Sequence, residues 1–384
     1  MDRNAPISIV TAIVICVVGV FALMIMPIFS GIYELAPGYT GEQGGKVMIA
    51  EVAGGALASI LAMFWITKFN WRTAVTFALL CVVVGNAMVA FQFTIIPVEY
   101  LRLLVGFFGQ GTAFVVGVAI IGNTSDPDRN FGFVITTQVL FGVVALASFP
   151  FLVGQFNSIG GMYVPLGGVA LIGLLFVKHI PEGPAQQEMA GGDSATGSLA
   201  LPVTALVVML IWCCGLGAMW GALGDIAIAG GLELEIVGVS VSISSAVAMT
   251  GSLAAATLAA KGVNRFLPMT IALLVQIAMA WLLQGEMSFP ELVIKASIFQ
   301  IFWNMTGPFL MGAIAASDTS GRVSVLIPAA QTTGFFVGPV AVAIASGIFA
   351  EAGLVVANYL TVLFCAIALI IFIPLSARLK AAGY

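Results

Sequence analysis

Four ionisable side chains lie inside long apolar stretches of the sequence: Glu51, Arg102, Asp225 and Lys295. A charge at the centre of a membrane helix costs about 2.5–3.5 kcal/mol on insertion scales, so each needs a partner or a water-filled cavity. The two bases could hold an anionic group between them. The two carboxyl groups could carry protons, because burial favours the protonated form and a nearby base favours the ionised form. In the alternative interpretation, Glu51 and Arg102 form a fixed ion pair, and Lys295 extends to the outer membrane interface.

Uncharged polar and aromatic side chains form a second group of candidates in the same stretches. Helical spacing puts Arg102, Gly106 and Gln110 on one stripe, at i, i+4 and i+8. The other candidates of this group are Gln138, Gln300, Asn304, Gln331, Tyr33, Trp220 and Trp303. Amides beside aromatic rings suit an amphipathic or aromatic organic molecule. The alternative is interhelical hydrogen bonding, worth about 0.6 kcal/mol per contact, and this alternative is favoured for Asn86.

The composition indicates which elements must position these side chains. The chain has 384 residues, of which 61% are hydrophobic and 8% are charged, whereas a soluble domain has about 25% charged residues. This difference excludes a cytosolic enzyme and a disordered protein, and the net charge of -4 argues against a nucleic-acid binder. The apolar runs are about 18–27 residues long, which is the length of membrane helices rather than of barrel strands.

Apolar runs and polar breaks together predict an all-α membrane protein with twelve transmembrane helices. The predicted spans are residues 7–33, 46–66, 73–93, 98–121, 131–154, 160–178, 204–230, 235–260, 267–284, 290–316, 323–349 and 353–376. The first span is too long for a signal peptide and lacks a small-residue cleavage site, so we expect it to be retained.

The distribution of basic residues predicts the orientation of the spans. With a cytoplasmic N-terminus, most of the 13 lysines and arginines fall in inside segments, and only Lys46 falls in an outside loop. The inside residues are Arg3, Lys68, Arg72, Arg129, Lys178, Lys261, Arg265, Arg322, Arg378 and Lys380. Both termini are therefore expected in the cytoplasm. Residues 179–203 are rich in Gly, Pro and Ala, and they predict a cytoplasmic linker between an N-terminal bundle, 1–178, and a C-terminal bundle, 204–384.

An internal repeat relates the two halves when 193 is added to a first-half residue number. The matched pairs are Lys68 and Lys261, Arg72 and Arg265, Pro97 and Pro290, Arg102 and Lys295, Arg129 and Arg322, and Gln138 and Gln331. Because each half has six spans, the repeats run in the same direction, which predicts two parallel six-helix bundles. A site between such bundles near mid-depth, exposed to alternate sides by a rocking motion, is one recurrent transporter plan.

Cofactors, metal ions and nucleotides are not expected. The only histidine, His179, lies at the edge of the predicted linker, so neither a histidine metal site nor a Ser–His arrangement is available. The five cysteines lie in apolar runs and are expected to be packing residues without disulfides. Gly45 and Lys46 lack the following Ser/Thr and the upstream glycine of a P-loop. We therefore predict neither an enzyme nor an ATP-driven pump.

The architecture resembles that of the major facilitator superfamily over the whole chain. In span four, Arg102 and Gly106 resemble the family's Arg-x-x-x-Gly pattern. The loop 67–72 keeps basic residues near both ends but lacks the acidic residue and the glycines of the pattern Gly-x-x-x-Asp-Arg-x-Gly-Arg-Arg. The antiporter pattern Gly-x-x-x-Gly-Pro is found at 334–339, in span eleven, instead of in span five. These motifs do not decide between symport and antiport.

The resemblance implies a secondary active transporter that works by alternating access. We expect proton-coupled symport of a small organic solute that is anionic, or amphipathic and aromatic. Proton-coupled efflux of lipophilic compounds is the alternative, and a non-transporting membrane receptor or scaffold is the alternative from a different class. The expected partners are the solute, protons and the lipid bilayer, for a monomer in a bacterial inner (plasma) membrane that binds no nucleic acid.

Overall fold

The computed structural model describes residues 3–66, 68–124, 127–183, 199–260, 266–318, 323, 326–349, 351 and 353–382. The regular secondary structure of these residues is helical, and none of them forms a strand. The chain folds into two compact units, Met1–Gly191 and Gly192–Tyr384. The division falls within the predicted linker, but residues 184–198 lie outside the described ranges. The predicted limits of the two bundles therefore stay predictions.

The described residues of the first unit form α-helices, one π-helical segment and one 3₁₀ turn. Its helices are α1 (Pro6–Gly19), α2 (Phe21–Leu35), α3 (Gly41–Trp65), α4 (Trp71–Ala90), α5 (Val98–Leu104), α6 (Thr112–Gly122), α7 (Pro127–Phe156) and α8 (Gly160–Phe176). A π-helical segment, Val105–Gly111, joins α5 directly to α6. A 3₁₀ turn, Val177–His179, follows α8.

The described residues of the second unit form six α-helices. They are α9 (Ala200–Ala229), α10 (Leu234–Ala260), α11 (Phe266–Leu282), α12 (Phe289–Ser317), α13 (Ile327–Ile348) and α14 (Val355–Ala381). Within this unit α9 packs against α13 and α14, and α12 packs against α10 and α11. In the first unit α3 packs against α2, α5 and the π-helical segment, and α4 packs against α8.

Each predicted span coincides with one of these helices or with a consecutive pair. Among the described residues, 10 segments are long and apolar enough to cross a membrane by length and composition. The other two spans correspond to α11, which has 17 residues, and to α12, which has 29 residues. The chain is therefore an all-α, multi-pass integral membrane protein, as the apolar pattern predicts.

Two spans are less regular than the single helices that hydropathy predicts. The first span is divided into α1 and α2 at Val20, which has a φ of -119° and a ψ of 15°. The fourth span changes from α-helix to π-helix at Val105. Hydropathy depends on composition and not on backbone geometry, so neither irregularity has a signal in the apolar pattern.

Capping residues define where several spans begin. Thr40 and Asn70 each accept a hydrogen bond from the backbone N–H three residues later, at 3.1 Å, and so start α3 and α4. Ser288 and Glu291 form a reciprocal capping box at the start of α12. These short polar sequences end the preceding loops and fix the register of the helices that follow.

Large apolar side chains cover the outside of both units. Phe77, Leu140 and Ile370 are more than half exposed, for example. On a water-soluble protein so much exposed apolar surface would mark an interaction site or cause aggregation. In a bilayer the same side chains contact lipid tails, which are as apolar as they are.

Several predicted features lie outside the described residues. They include Lys261, Arg265 and Arg322, and the side chain of Arg129. The predicted orientation and much of the predicted repeat depend on these residues, so both stay predictions.

Candidate functional site

Glu51 of α3 and Arg102 of α5 form an ion pair in the interior of the first unit. Nε of Arg102 donates to Oε2 of Glu51 at 3.0 Å, and Nη2 of Arg102 donates to Oε1. Arg102 is 0% exposed and Glu51 is 2% exposed. Two parallel hydrogen bonds between a guanidinium and a carboxylate compensate the desolvation of both charges. This geometry is the one that the ion-pair interpretation of the sequence expects, and the roles of both residues in transport stay predictions.

Asn86 of α4 holds the guanidinium of Arg102 from another side. Nη1 of Arg102 donates to Oδ1 of Asn86 at 2.7 Å. Asn86 is buried, and its Nδ2 has no hydrogen-bond partner among the described residues. A buried N–H without a partner costs about 1–3 kcal/mol. The oxygen of this amide is therefore the atom that the site uses.

Gln110 reaches the same carboxylate from the π-helical segment. Its Nε2 donates to Oε1 of Glu51 at 2.5 Å, and the side chain is buried. Between Arg102 and Gln110, a Cβ on Gly106 would overlap the backbone oxygen of Glu51. The backbones of α3 and the π-helical segment are therefore in direct contact, which requires glycine at this position. The predicted stripe of Arg102, Gly106 and Gln110 thus forms a single contact with α3.

Tyrosines enclose the remaining face of the guanidinium. The ring centroid of Tyr163 of α8 lies 4.7 Å from Cζ of Arg102, a cation–π contact. The hydroxyl groups of Tyr163 and Tyr33 of α2 are 2.6 Å apart, and both residues are fully buried. Tyr39, in the loop after α2, packs edge-on against Tyr33 with 5.1 Å between ring centroids. Burial raises the pKa of the Tyr39 phenol, so this end of the cluster is uncharged near neutral pH.

The two glutamines that the repeat matches have different surroundings. Nε2 of Gln138, on α7, donates to the backbone oxygen of Cys16 at 3.1 Å and so ties α7 to α1. Nε2 of Gln331, on α13, lies 3.9 Å from Sδ of Met311. Since a thioether is a weak acceptor, the amide of Gln331 keeps most of its hydrogen-bonding capacity.

The second unit has an uncharged network between α10 and α12. Oε1 of Gln300 accepts from Oγ of Ser245 at 2.9 Å, and Nε2 of Gln300 donates to Oγ of Ser244 at 2.8 Å. Nδ2 of Asn304 donates to the backbone oxygen of Ala248 at 3.2 Å. A Cβ on Gly251 would overlap a backbone oxygen of α12, so these helices also touch backbone to backbone.

Trp220 of α9, Trp303 of α12 and Phe335 of α13 form an aromatic cluster in the second unit. The ring centroids of the two tryptophans are 5.4 Å apart at an interplanar angle of 82°. Those of Trp303 and Phe335 are 5.5 Å apart at 34°. Trp303 and Phe335 are half-buried, and Gln331, also half-buried, lies one turn before Phe335 on α13. Ring faces beside an amide with spare hydrogen-bonding capacity are suited to contact an organic solute.

Asp225 and Lys295 are the two remaining ionisable candidates. Asp225 is half-buried on α9, five residues after Trp220. Lys295 is also half-buried, in the second turn of α12, four residues after Glu291. Both belong to the second unit, whereas Glu51 and Arg102 belong to the first. That Arg102 and Lys295 hold an anionic group between them stays a prediction. That Asp225 carries a proton stays a prediction as well.

The sequence does not single out several residues that the structure places in these clusters. They are Tyr163, Ser244, Ser245 and Phe335. Asn86, for which the sequence favours interhelical hydrogen bonding, makes such a bond with Arg102. A hydroxyl inside an apolar run is the available signal for the two serines. Tyr163 lies near the start of its span, where a tyrosine is ordinary at a membrane interface, so its sequence position carries no such signal.

Comparison with known proteins finds similarity in fold and not in sequence. No protein-family model matches the chain, and no curated protein matches it. Solved structures, by contrast, match it over nearly its whole length. An auto-inhibited POT family peptide transporter matches with a TM-score of 0.69 at 12% identity, over 96% of each chain. The POT family transporter PepTSo matches with a TM-score of 0.72 at 11% identity, over 97% of this chain and 98% of its own.

A third solved structure is a POT family transporter in complex with 5-aminolevulinic acid. It matches with a TM-score of 0.70 at 11% identity, over 99% of each chain. The fold is that of these transporters. The predicted major facilitator-like fold is thereby confirmed, and at this level of identity the similarity concerns the fold alone.

Proposed function

We propose that the protein is a secondary active transporter that couples the movement of a small organic solute to protons by alternating access. The observation that carries this proposal is the buried ion pair of Glu51 and Arg102 inside the membrane-spanning helices of a transporter fold. Ionisable residues are costly in a membrane, and they usually mark a substrate or ion pathway. The repeat and the similarity in fold over the whole chain support the same proposal.

Glu51 is the proposed proton carrier of the first unit. Its carboxylate accepts two hydrogen bonds from Arg102 and one from Gln110. Protonation removes the negative charge that these donors compensate, which weakens the contact between α3 and α5. The contact of α3 with α5 would then have two arrangements, one with Glu51 ionised and one with Glu51 protonated. Alternating access needs an element of this kind, whose two states are selected by proton binding.

The proposed solute is small and anionic, or amphipathic with an aromatic group. The cluster of Trp220, Trp303 and Phe335 offers ring faces, and Gln331 and Lys295 offer a hydrogen-bond donor and a positive charge. Among the similar solved structures, one contains a thioalcohol-conjugated peptide and another contains 5-aminolevulinic acid. Short peptides and 5-aminolevulinic acid carry a carboxylate, and aromatic carboxylates add a ring. These three groups of compounds are therefore the first probes.

The test is uptake by purified protein in sealed vesicles under an imposed pH gradient. We expect at least one probe to accumulate when the outside is acidic, and accumulation to stop when the gradient is dissipated. Glu51→Gln should abolish gradient-driven accumulation and still allow exchange of labelled for unlabelled solute across the vesicle membrane. No accumulation and no exchange of any probe in either direction would contradict the proposal.

Lys295 gives a separate test of an anionic solute. Lys295→Ala should abolish uptake of a carboxylate probe while the protein stays folded, because Lys295 is not fully buried. Lys295→Arg keeps the charge and is the matched control. Full uptake by Lys295→Ala would exclude an anion-binding role for this residue and would leave proton coupling through Glu51 untouched.

Proton-coupled efflux of a lipophilic compound is the second candidate. It is favoured by the aromatic rings of Trp303 and Phe335, which lie in the middle of their spans and are not fully buried. A lipophilic cation or neutral dye expelled under the opposite gradient would support efflux over symport.

The remaining proposals concern the location of the chain. The bias of basic residues supports both termini in the cytoplasm. A monomeric state and a bacterial inner membrane remain part of the proposal. A protease-accessible tag at either end, digested only in inverted membrane vesicles, would support this orientation.

A further inference from the structure

The guanidinium of Arg102 has partners that do not depend on Glu51. Oδ1 of Asn86 accepts from Nη1 at 2.7 Å, and the ring of Tyr163 lies 4.7 Å from Cζ. We propose that Asn86 and Tyr163 are positioning residues that hold the charge of Arg102 while Glu51 is protonated, so that Glu51 can bind and release a proton. This inference rests on the proposed function, because it gives Glu51 the role of proton carrier.

A fully buried cation cannot be left without compensation. Arg102 is 0% exposed, so water does not reach it when its carboxylate partner is neutralised. Removing one partner of a buried ion pair is strongly unfavourable for this reason. If Arg102 had no partner besides Glu51, the ion pair would therefore resist protonation of Glu51 and stay a permanent contact between the helices. A pair with a second acceptor and an aromatic face can lose the carboxylate charge and keep the guanidinium in place.

The amide of Asn86 is oriented for this purpose. Its oxygen accepts the hydrogen bond from Arg102, while its buried Nδ2 has no partner among the described residues. A side chain selected for helix packing alone would not need a buried N–H without a partner, and leucine would fill nearly the same volume. The acceptor oxygen is thus the property that the position requires.

The ring of Tyr163 is held by other tyrosines. Its hydroxyl lies 2.6 Å from that of Tyr33, and Tyr33 packs against Tyr39. The ring of Tyr163 consequently keeps its place against Arg102 without any contribution from Glu51.

The titratable groups that face Glu51 are few. Among the described residues they are Arg102 from α5, Tyr163 from α8 and Tyr33 from α2. The π-helical segment contributes only the uncharged Gln110, and α6 has no titratable residue. On α3 itself, Glu42 and Lys46 pair with each other at its exposed start. Arg102 is therefore the charged group in direct contact with Glu51, and the compensation of Arg102 is the property that the variants below change.

The test compares variants that change this compensation in opposite directions. Asn86→Leu removes the acceptor and disfavours the protonated state of Glu51, so the pH at which gradient-driven uptake is half-maximal should move about one unit to the acid side. Asn86→Asp supplies a second carboxylate to Arg102, so the half-maximal pH should move to the alkaline side. Tyr163→Leu should behave like Asn86→Leu, and Tyr163→Phe, which keeps the ring, should have a nearly wild-type profile.

A second measurement needs no substrate. The Tm of purified protein is recorded against pH for each variant. Protonation of Glu51 should produce a change in Tm over a limited pH range, called the Tm step, and this step should be absent in Glu51→Gln. The step should move in the same directions as the uptake profile. Shifts of equal sign in Asn86→Leu and Asn86→Asp, or no shift in either, would overturn the inference. If the Tm steps move as expected but no probe is transported, the positioning role stands and the proposed function fails.

Discussion

The contact of α3 with α5 in the first unit and the contact of α10 with α12 in the second have equivalent places in the sequence repeat but different chemistry. The first contact is held by an ion pair, Glu51 and Arg102, with amides on either side. The second is held by Gln300 and two serine hydroxyls. Ser244 is the residue that the offset of 193 matches to Glu51. In the described residues of these four helices, the buried charges thus belong to the first unit.

The difference shows that two helix pairs with equivalent places in the repeat can respond differently to pH. An uncharged network has the same hydrogen bonds at every pH near neutrality, so it gives a constant contact. A buried carboxylate changes its charge, and the contact changes with it. Both contacts use a glycine for close approach, Gly106 on the π-helical segment of the first unit and Gly251 on α10 of the second, so helix backbones touch in both units although the chemistry differs.

The largest expected effect comes from removing one charge of the ion pair. Arg102→Ala leaves Glu51 buried without its cation and should lower the free energy of unfolding by about 3–5 kcal/mol. Denaturant unfolding in detergent measures this loss. The double variant Glu51→Gln with Arg102→Gln is the matched control and should recover most of the stability without recovering proton coupling. If Arg102→Ala were as stable as the wild type, the first contact would not depend on its charges.

The two glycines test whether the contacts are equally close. A Cβ at Gly106 would overlap the backbone oxygen of Glu51, and one at Gly251 would overlap that of Ile301. Alanine at either position should therefore cost about 1–3 kcal/mol through overpacking. Gly168→Ala, on α8, is the control, because a Cβ there meets no atom within 4 Å. A neutral result at one glycine and a loss at the other would show that the helix pairs are packed differently.

The uncharged network should be less sensitive than the ion pair. Gln300→Leu removes the partner of Ser244 and Ser245, but Ser244 also donates to the backbone oxygen of Val241 at 2.9 Å. The expected loss of unfolding free energy is about 1 kcal/mol. The dependence of Tm on pH should stay that of the wild type. A changed dependence would mean that the second contact is also linked to protons.

The smallest expected effect on transport concerns the aromatic cluster. Trp303→Leu removes the ring contacts with Trp220 and Phe335, each worth about 0.5–1.5 kcal/mol beyond buried area. If the solute uses these rings, its KM should rise about two- to tenfold. The control Trp303→Phe should keep most of the affinity. An unchanged KM for an aromatic probe would show that the rings of the second unit do not contact the solute.

The fold is largely predictable because hydrophobic length is a strong signal. All twelve predicted spans coincide with helices, and their ends differ by a few residues. The break at Val20 and the π-helical segment are not predictable in this way, because both depend on backbone hydrogen bonding.

The candidate site is predictable in part. Helical spacing correctly groups Arg102, Gly106 and Gln110, because residues four apart share a face. It does not predict which neighbouring helix that face meets. Asn86 and Tyr163 are therefore missed as partners of Arg102, since the contact depends on how α4, α5 and α8 pack together.

The π-helical segment Val105–Gly111 divides span four into two lengths of α-helix and shifts the rotational phase of the second from the phase that a continuous α-helix would give it. Each residue of an α-helix turns the chain by about 100°, so deleting one residue here would rotate everything after it by that angle. Before the segment, Arg102 must point to Glu51. After it, Gly117 must point to α1, where a Cβ would come within 2.6 Å of Sγ of Cys16. The segment lets one span satisfy both alignments, and a single-residue deletion within it should uncouple them.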